Sequence, residues 1–130
     1  IILIYPIPEV GWNPNNKIYL QWIKRKNKKT KNFQINPITT SYDVYKERTK
    51  ASFKFLDDIK NDSIYRVYPH KFFCNTKFEG RCITHDQNKI FYYDDDHLSV
   101  EGSEVINSLI LNKIENIEKK ISLNIKIKNF

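Results

Sequence analysis

The segment Tyr92-Tyr93-Asp94-Asp95-Asp96-His97-Leu98-Ser99 organises the reading of the whole chain. Three consecutive carboxylates are costly to hold together, because each disfavours ionisation of its neighbours. A histidine closes the run, and helix-like sequence follows at once. A strand end that feeds a short acidic turn and then a helix is where open α/β sheets place their ligands. The spacing Asp94-x-x-His97 lets the first carboxylate fold back on the imidazole of the same turn. Asp94 would then accept the Nδ1–H, fix the tautomer and stabilise the imidazolium formed when Nε2 takes a proton from a nucleophile. The competing reading of a bare Asp-x-x-His is an acidic surface turn with a solvated histidine, so the surrounding sequence has to decide.

On the C-terminal side, Ser99 is placed to cap a helix, with Glu101 and Glu104 complementing the positive end of its dipole. Val100, Val105, Leu109, Ile110, Ile114, Ile117 and Ile121 recur at helical spacing and predict its buried stripe. Gly102, in the first turn, weakens helix propensity and leaves room for a close neighbour. Residues 122–130 alternate through Leu123, Ile125 and Ile127, which fits a terminal strand or a frayed tail. On the N-terminal side, Lys89-Ile90-Phe91-Tyr92-Tyr93 reads as a brief strand or extended segment. Alternation sends one of Tyr92 and Tyr93 into the core and the other outward.

Further upstream, Ile64-Tyr65-Arg66-Val67-Tyr68 is a short strand stopped by Pro69. Tyr42, Tyr45, Thr49, Phe53, Leu56 and Ile59 predict an amphipathic helix, with Thr40 or Ser41 as its N-cap. The opening Ile1-Ile2-Leu3-Ile4-Tyr5 is a continuous apolar run, as expected of a strand buried on both faces of a parallel sheet. Pro6 and Pro8 end it and stiffen the loop that follows. Residues 17–23 have the spacing of a short helix after Asn13-Pro14, and residues 24–32 read as an exposed basic loop. Strand, helix, strand, loop, helix is an α/β order, with parallel strands as the default.

A chain of 130 residues forms one domain at most. At 40% apolar residues it is globular. It has no Met and begins on an apolar run, as expected of a piece of a longer protein or a processed product. That run is too short for a complete signal peptide or a membrane span. The net charge of +7 is spread along the chain and lacks the interleaved aromatics of single-strand binders, so no nucleic-acid partner is expected. Cys74 and Cys82 bracket a small loop that contains Gly80. Their spacing lacks the two short-spaced pairs of a zinc site. A local disulfide, implying an oxidising compartment, is the preferred reading, with two free thiols as the alternative.

Taken together, these residues resemble the SGNH (GDSL-type) hydrolases. More narrowly, they resemble the SGNH domain fused to bacterial membrane O-acyltransferases of the acyltransferase family 3 type. Four features carry the resemblance: the strand ending in Tyr5-Pro6-Ile7-Pro8-Glu9, the helix leading to Ile64-Tyr65-Arg66-Val67-Tyr68-Pro69, the Cys74/Cys82 pair, and the block from Tyr92 to Gly102. Residues 1–121 would be the C-terminal half of such a domain, with 122–130 as a tail or terminal strand. The resemblance implies a three-layer flavodoxin-like SGNH hydrolase fold and a Ser-His-Asp site facing the periplasm. In that site His97 would be the general base and Asp94 its orienting carboxylate. It also implies an acyl donor, a cell-surface glycan acceptor such as lipopolysaccharide O-antigen, and an N-terminal membrane acyltransferase domain in the same chain. No cofactor is implied. Stand-alone secreted carbohydrate esterases and non-catalytic glycan-binding domains of the same fold are the alternatives.

The sequence departs from the family pattern in one important respect: no Gly-Asp-Ser block occurs in it. None of Ser41, Ser52, Ser63, Ser99, Ser103, Ser108 and Ser122 sits in a Gly-preceded strand-to-helix turn. The nucleophile and the oxyanion-hole residues are therefore expected upstream, and these 130 residues alone should be inactive. Asp94, Asp95, Asp96 and His97 could gather a hard cation, but their spacing fits no EF-hand loop, and no metal is expected. His70 reads as a surface or hydrogen-bonded residue and His85 as a solvated turn residue. Trp12 either lines a pocket or packs on the sheet edge.

Overall fold

The computed structural model describes residues 1–26 and 35–128. Those residues form four short strands and four helices arranged as two small sheets with helices against them. Strand β1 (Ile2–Ile4) pairs in parallel with β3 (Tyr65–Val67), in the register Ile2 to Tyr65 and Ile4 to Val67. Between them lie helix α1 (Pro14–Lys26), strand β2 (Thr39–Ser41) and helix α2 (Tyr42–Asp58). A four-residue helix α3 (His70–Phe73) and strand β4 (Arg81–Ile83) follow, and β4 pairs antiparallel with β2. Helix α4 (Val100–Lys128) ends the chain and packs against β3.

Local chemistry accounts for where the helices begin. Asn13 Oδ1 accepts from the backbone N–H of Asn15 and Asn16, and Pro14 occupies the first helical position, where its missing donor costs nothing. Ser41 Oγ accepts from Val44 N at 3.3 Å and caps α2. Ser99 Oγ accepts from Gly102 N at 3.1 Å and caps α4. At the other end of α2, the Arg66 guanidinium reaches from β3 to the carbonyls of Leu56 and Ile59. It satisfies acceptors that the helix leaves open and complements its dipole.

Two aromatic hubs hold these elements together. Tyr5 is buried at the end of β1, with the rings of Phe53 and Tyr68 at 4.8 and 4.4 Å. Its hydroxyl donates to Asp57 and accepts from Arg66 Nε; burial, and then the bond to Asp57, push the phenol up to about 12 against the opposing effect of Arg66. In the second hub Phe73, Phe91, Tyr92, Val10 and Ile106 enclose the Cys74–Cys82 disulfide. The disulfide closes the loop that returns through Gly80, which adopts φ +66°.

Several expectations need correction, and two others, residues 89–93 and Trp12, are decided between the alternatives the sequence left open. The β1 side chains are not buried on both faces: Ile4 is 45% exposed, because the described sheet has only two strands. Residues 89–93 are extended and make only the isolated bridges His85 to Ile90 and Tyr92 to Leu98. Lys24 belongs to α1 rather than to a loop, and residues 27–32 of the basic run lie outside the described residues. The α4 stripe is buried only in part. Val100, Ile114 and Ile121 are exposed, while Ile106 is the buried anchor. Residues 122–128 continue α4 as helix rather than forming a strand. Trp12 packs against the core, with Lys17 Nζ 3.7 Å from its ring centre.

Candidate functional site

The acidic turn is built from its own side chains. Asp94 Oδ1 accepts from the backbone N–H of His97 at 2.8 Å and of Asp96 at 3.1 Å, so the carboxylate closes the turn. Tyr93 N donates to His97 O at 2.9 Å across the turn's base. These donors, His97 N first, hold the Asp94 carboxyl down at about 2. The mutual repulsion expected of three adjacent carboxylates is thus overcome at Asp94 by hydrogen bonds to its charged form.

His97 completes the arrangement. Its Nδ1 lies 3.0 Å from Asp94 Oδ2 and 2.9 Å from Asp96 Oδ1. The hydrogen bond to Asp94, its charge and then the charge of Asp96 raise the imidazole above its ordinary 6.5. Nδ1 is therefore the protonated nitrogen facing the carboxylates, and Nε2 is bonded to no described residue. The His97 side chain is 73% exposed and that of Asp94 only 32%, so the carboxylate is sheltered and the imidazole is accessible. An oriented imidazole with a free Nε2 can accept a proton from a hydroxyl that approaches it. Asp94, Asp96 and His97 also bring ligand atoms within 4.8 Å of one another, a grouping that could hold a cation. Asp94 Oδ1 is already committed to two backbone donors, which fits the acid–base arrangement better.

The turn is clamped from outside by the segment that follows β1. Asp95 O accepts from Val10 N at 2.8 Å and Gly11 N at 3.2 Å. Asn15 Nδ2 donates to the carbonyls of Tyr92 and Tyr93 at 3.2 and 2.7 Å. The buried Tyr92 hydroxyl donates to Pro8 O at 2.6 Å, while Tyr93 points outward, 72% exposed. Behind the turn Ser99 Oγ donates to Ile90 O and Ser99 N to Phe91 O, which ties the start of α4 to the extended segment. Asn15 escaped sequence reasoning. Asn15 carries no pattern of its own, and its partner carbonyls lie 77 and 78 residues away.

The other two histidines are structural. His85 is buried rather than solvated: Nε2 accepts from Ile38 N at 3.1 Å and Nδ1 donates to Asp86 O at 2.7 Å. The imidazole thereby ties the end of β4 to the entry of β2. His70 sits among the rings of Tyr42, Tyr45, Phe53 and Tyr68, and burial lowers its pKa.

Among the described residues, no helix is long and apolar enough to cross a membrane. A family model described as "SGNH domain (fused to AT3 domains)" matches residues 1–112. No curated protein and no solved structure matches the chain.

Proposed function

The chain belongs to the family of SGNH domains fused to AT3 domains, and from that membership we propose that it supplies the histidine–aspartate half of an acyl-transfer site. The observation that carries the reading is the Asp94–His97 pair: a sheltered carboxylate against Nδ1, and an exposed imidazole whose Nε2 is bonded to no described residue. The nucleophilic serine and its oxyanion donors would lie outside residues 1–130, which contain no Gly-Asp-Ser block. That serine attacks the carbonyl of an acyl donor, and its proton passes to His97 Nε2. The tetrahedral intermediate collapses to an acyl-serine and the leaving group takes the proton back. A sugar hydroxyl then gives its proton to His97 as it attacks the acyl-serine. The ester forms on the sugar and the serine is restored.

Fusion to an acyltransferase partner favours transfer to a cell-surface glycan over simple hydrolysis. The Cys74–Cys82 disulfide supports an extracytoplasmic position beside a membrane domain. The parallel β1/β3 pair and the mixed helices are compatible with a three-layer flavodoxin-like arrangement in the complete domain. Labelling the complete protein with a fluorophosphonate probe tests the reading. One serine outside these residues should be modified, and labelling should slow sharply in His97→Ala. An unmodified wild-type protein would contradict it.

A further inference from the structure

Between α2 and the loop that leaves β1 lies a cleft of about 470 Å³, lined by Pro6, Glu9, Val10, Tyr45, Arg48 and Thr49 among others. We infer that this cleft is a subsite for a neutral sugar ring, held by the Arg48–Glu9 pair beside the acyl-transfer turn; the inference rests on the reading of that turn given above.

The placement comes from shared backbone. Glu9 lines the cleft, while the next two residues, Val10 and Gly11, donate to the carbonyl of Asp95 inside the acidic turn. One loop thus forms the cleft's wall and the turn's outer clamp, at the end of β1 where open α/β sheets take ligands. The cleft volume falls within the range of ligand pockets, about 300–1000 Å³.

The class of ligand comes from charge and hydrogen-bonding capacity. Arg48 Nη2 lies 3.2 Å from Glu9 Oε2, and the two side chains are 55% and 56% exposed. One cation and one anion leave the lining without net charge, which disfavours a phosphate or carboxylate ligand. A guanidinium beside a carboxylate instead offers several donors next to two acceptors, the pattern that adjacent hydroxyls satisfy. The Thr49 hydroxyl donates to Tyr45 O and keeps its lone pairs. An exposed ion pair of this kind adds little to stability, so its removal should report on binding and not on folding.

The test titrates the complete protein with methyl glycosides of glucose, galactose and mannose by ligand-observed NMR, with glucose 6-phosphate as the anionic comparator. At least one neutral glycoside should bind saturably and weaken about tenfold or more in Arg48→Ala and in Glu9→Gln. An Arg48→Glu, Glu9→Arg double variant, which keeps an ion pair but exchanges donors and acceptors, should not restore binding. Unchanged affinity in Arg48→Ala, no binding of any neutral glycoside, or tighter binding of glucose 6-phosphate would each overturn the subsite. Hydrolysis of p-nitrophenyl acetate, measured alongside, separates the two claims. Loss of that turnover in His97→Ala supports the acyl-transfer site whatever the sugar titration shows. No turnover in wild type counts against the acyl-transfer site alone.

Discussion

The carbonyl oxygen of Phe91 occupies the space that a side chain on residue 102 would need: a Cβ built on Gly102 would lie 2.0 Å from it. Leu98 Cδ2 would be 3.0 Å away. The first turn of α4 is thereby seated directly on the extended segment that leads into the acidic turn. Helix propensity favours Ala over Gly by about 1 kcal/mol, but a contact with backbone cannot be relieved by a rotamer change. Gly102→Ala should destabilise the domain by about 1–3 kcal/mol, within the usual cost of overpacking. Denaturant unfolding reads this directly, and a raised midpoint would show that α4 is not seated as described.

The Asp94–His97 pair sets a pH dependence whose sign follows from the two shifts. His97 is raised above 6.5, so its contribution to stability is fully present below that value and is lost as pH rises through the folded pKa. Asp94 is lowered from 3.8 to about 2, so its contribution is present above 3.8 and is lost as pH falls toward 2. An imidazole NMR titration should place His97 above 6.5 in the wild type and lower in Asp94→Asn. The asparagine keeps an acceptor for the backbone donors of Asp96 and His97 but removes the charge. An unchanged titration would show that Asp94 does not face Nδ1.

The Tyr92 hydroxyl and Pro8 carbonyl are buried together. Tyr92→Phe leaves that carbonyl unpaired, at a cost of about 1–3 kcal/mol. Because Tyr92 positions the turn without touching His97, the variant should lower turnover while leaving the pH midpoint of activity in place. A shifted midpoint would place Tyr92 in the proton path.

The Cys74–Cys82 bridge closes a loop of sequence separation 8. Its reduction should cost about 2–3 kcal/mol by the chain-entropy relation. Intact mass without reductant should be two hydrogens below that of the dithiol. Alkylation of both cysteines in the native, unreduced protein would remove the bridge and the argument for an oxidising compartment.

What the sequence disclosed was local in origin. The caps at Ser41 and Ser99, the opposite burial of Tyr92 and Tyr93, and the Asp94-x-x-His97 fold-back depend on residues within a few positions of one another. Gly102 was legible as a packing point, although its neighbour Phe91 was not. The pairing of β2 with β4 was missed, because three-residue strands show too few alternations to register. His85 looked solvated among polar neighbours, yet its imidazole is recruited by Ile38, 47 residues away. The stripe through Ile114 and Ile121 is amphipathic in spacing, but periodicity does not say whether a partner faces it. The candidate site was likewise readable in its pair and unreadable in its clamps, since Asn15 and Pro8 reach it across the fold.

The most direct test of the central claim is the rate of acyl transfer, or of p-nitrophenyl acetate hydrolysis, in the complete protein carrying His97→Ala. Removal of a positioned general base should lower the rate by about 10²–10⁴-fold, with the unfolding midpoint little changed because His97 is 73% exposed. A His97→Ala protein that works at the wild-type rate would contradict the assignment of this turn as the acid–base half of the site.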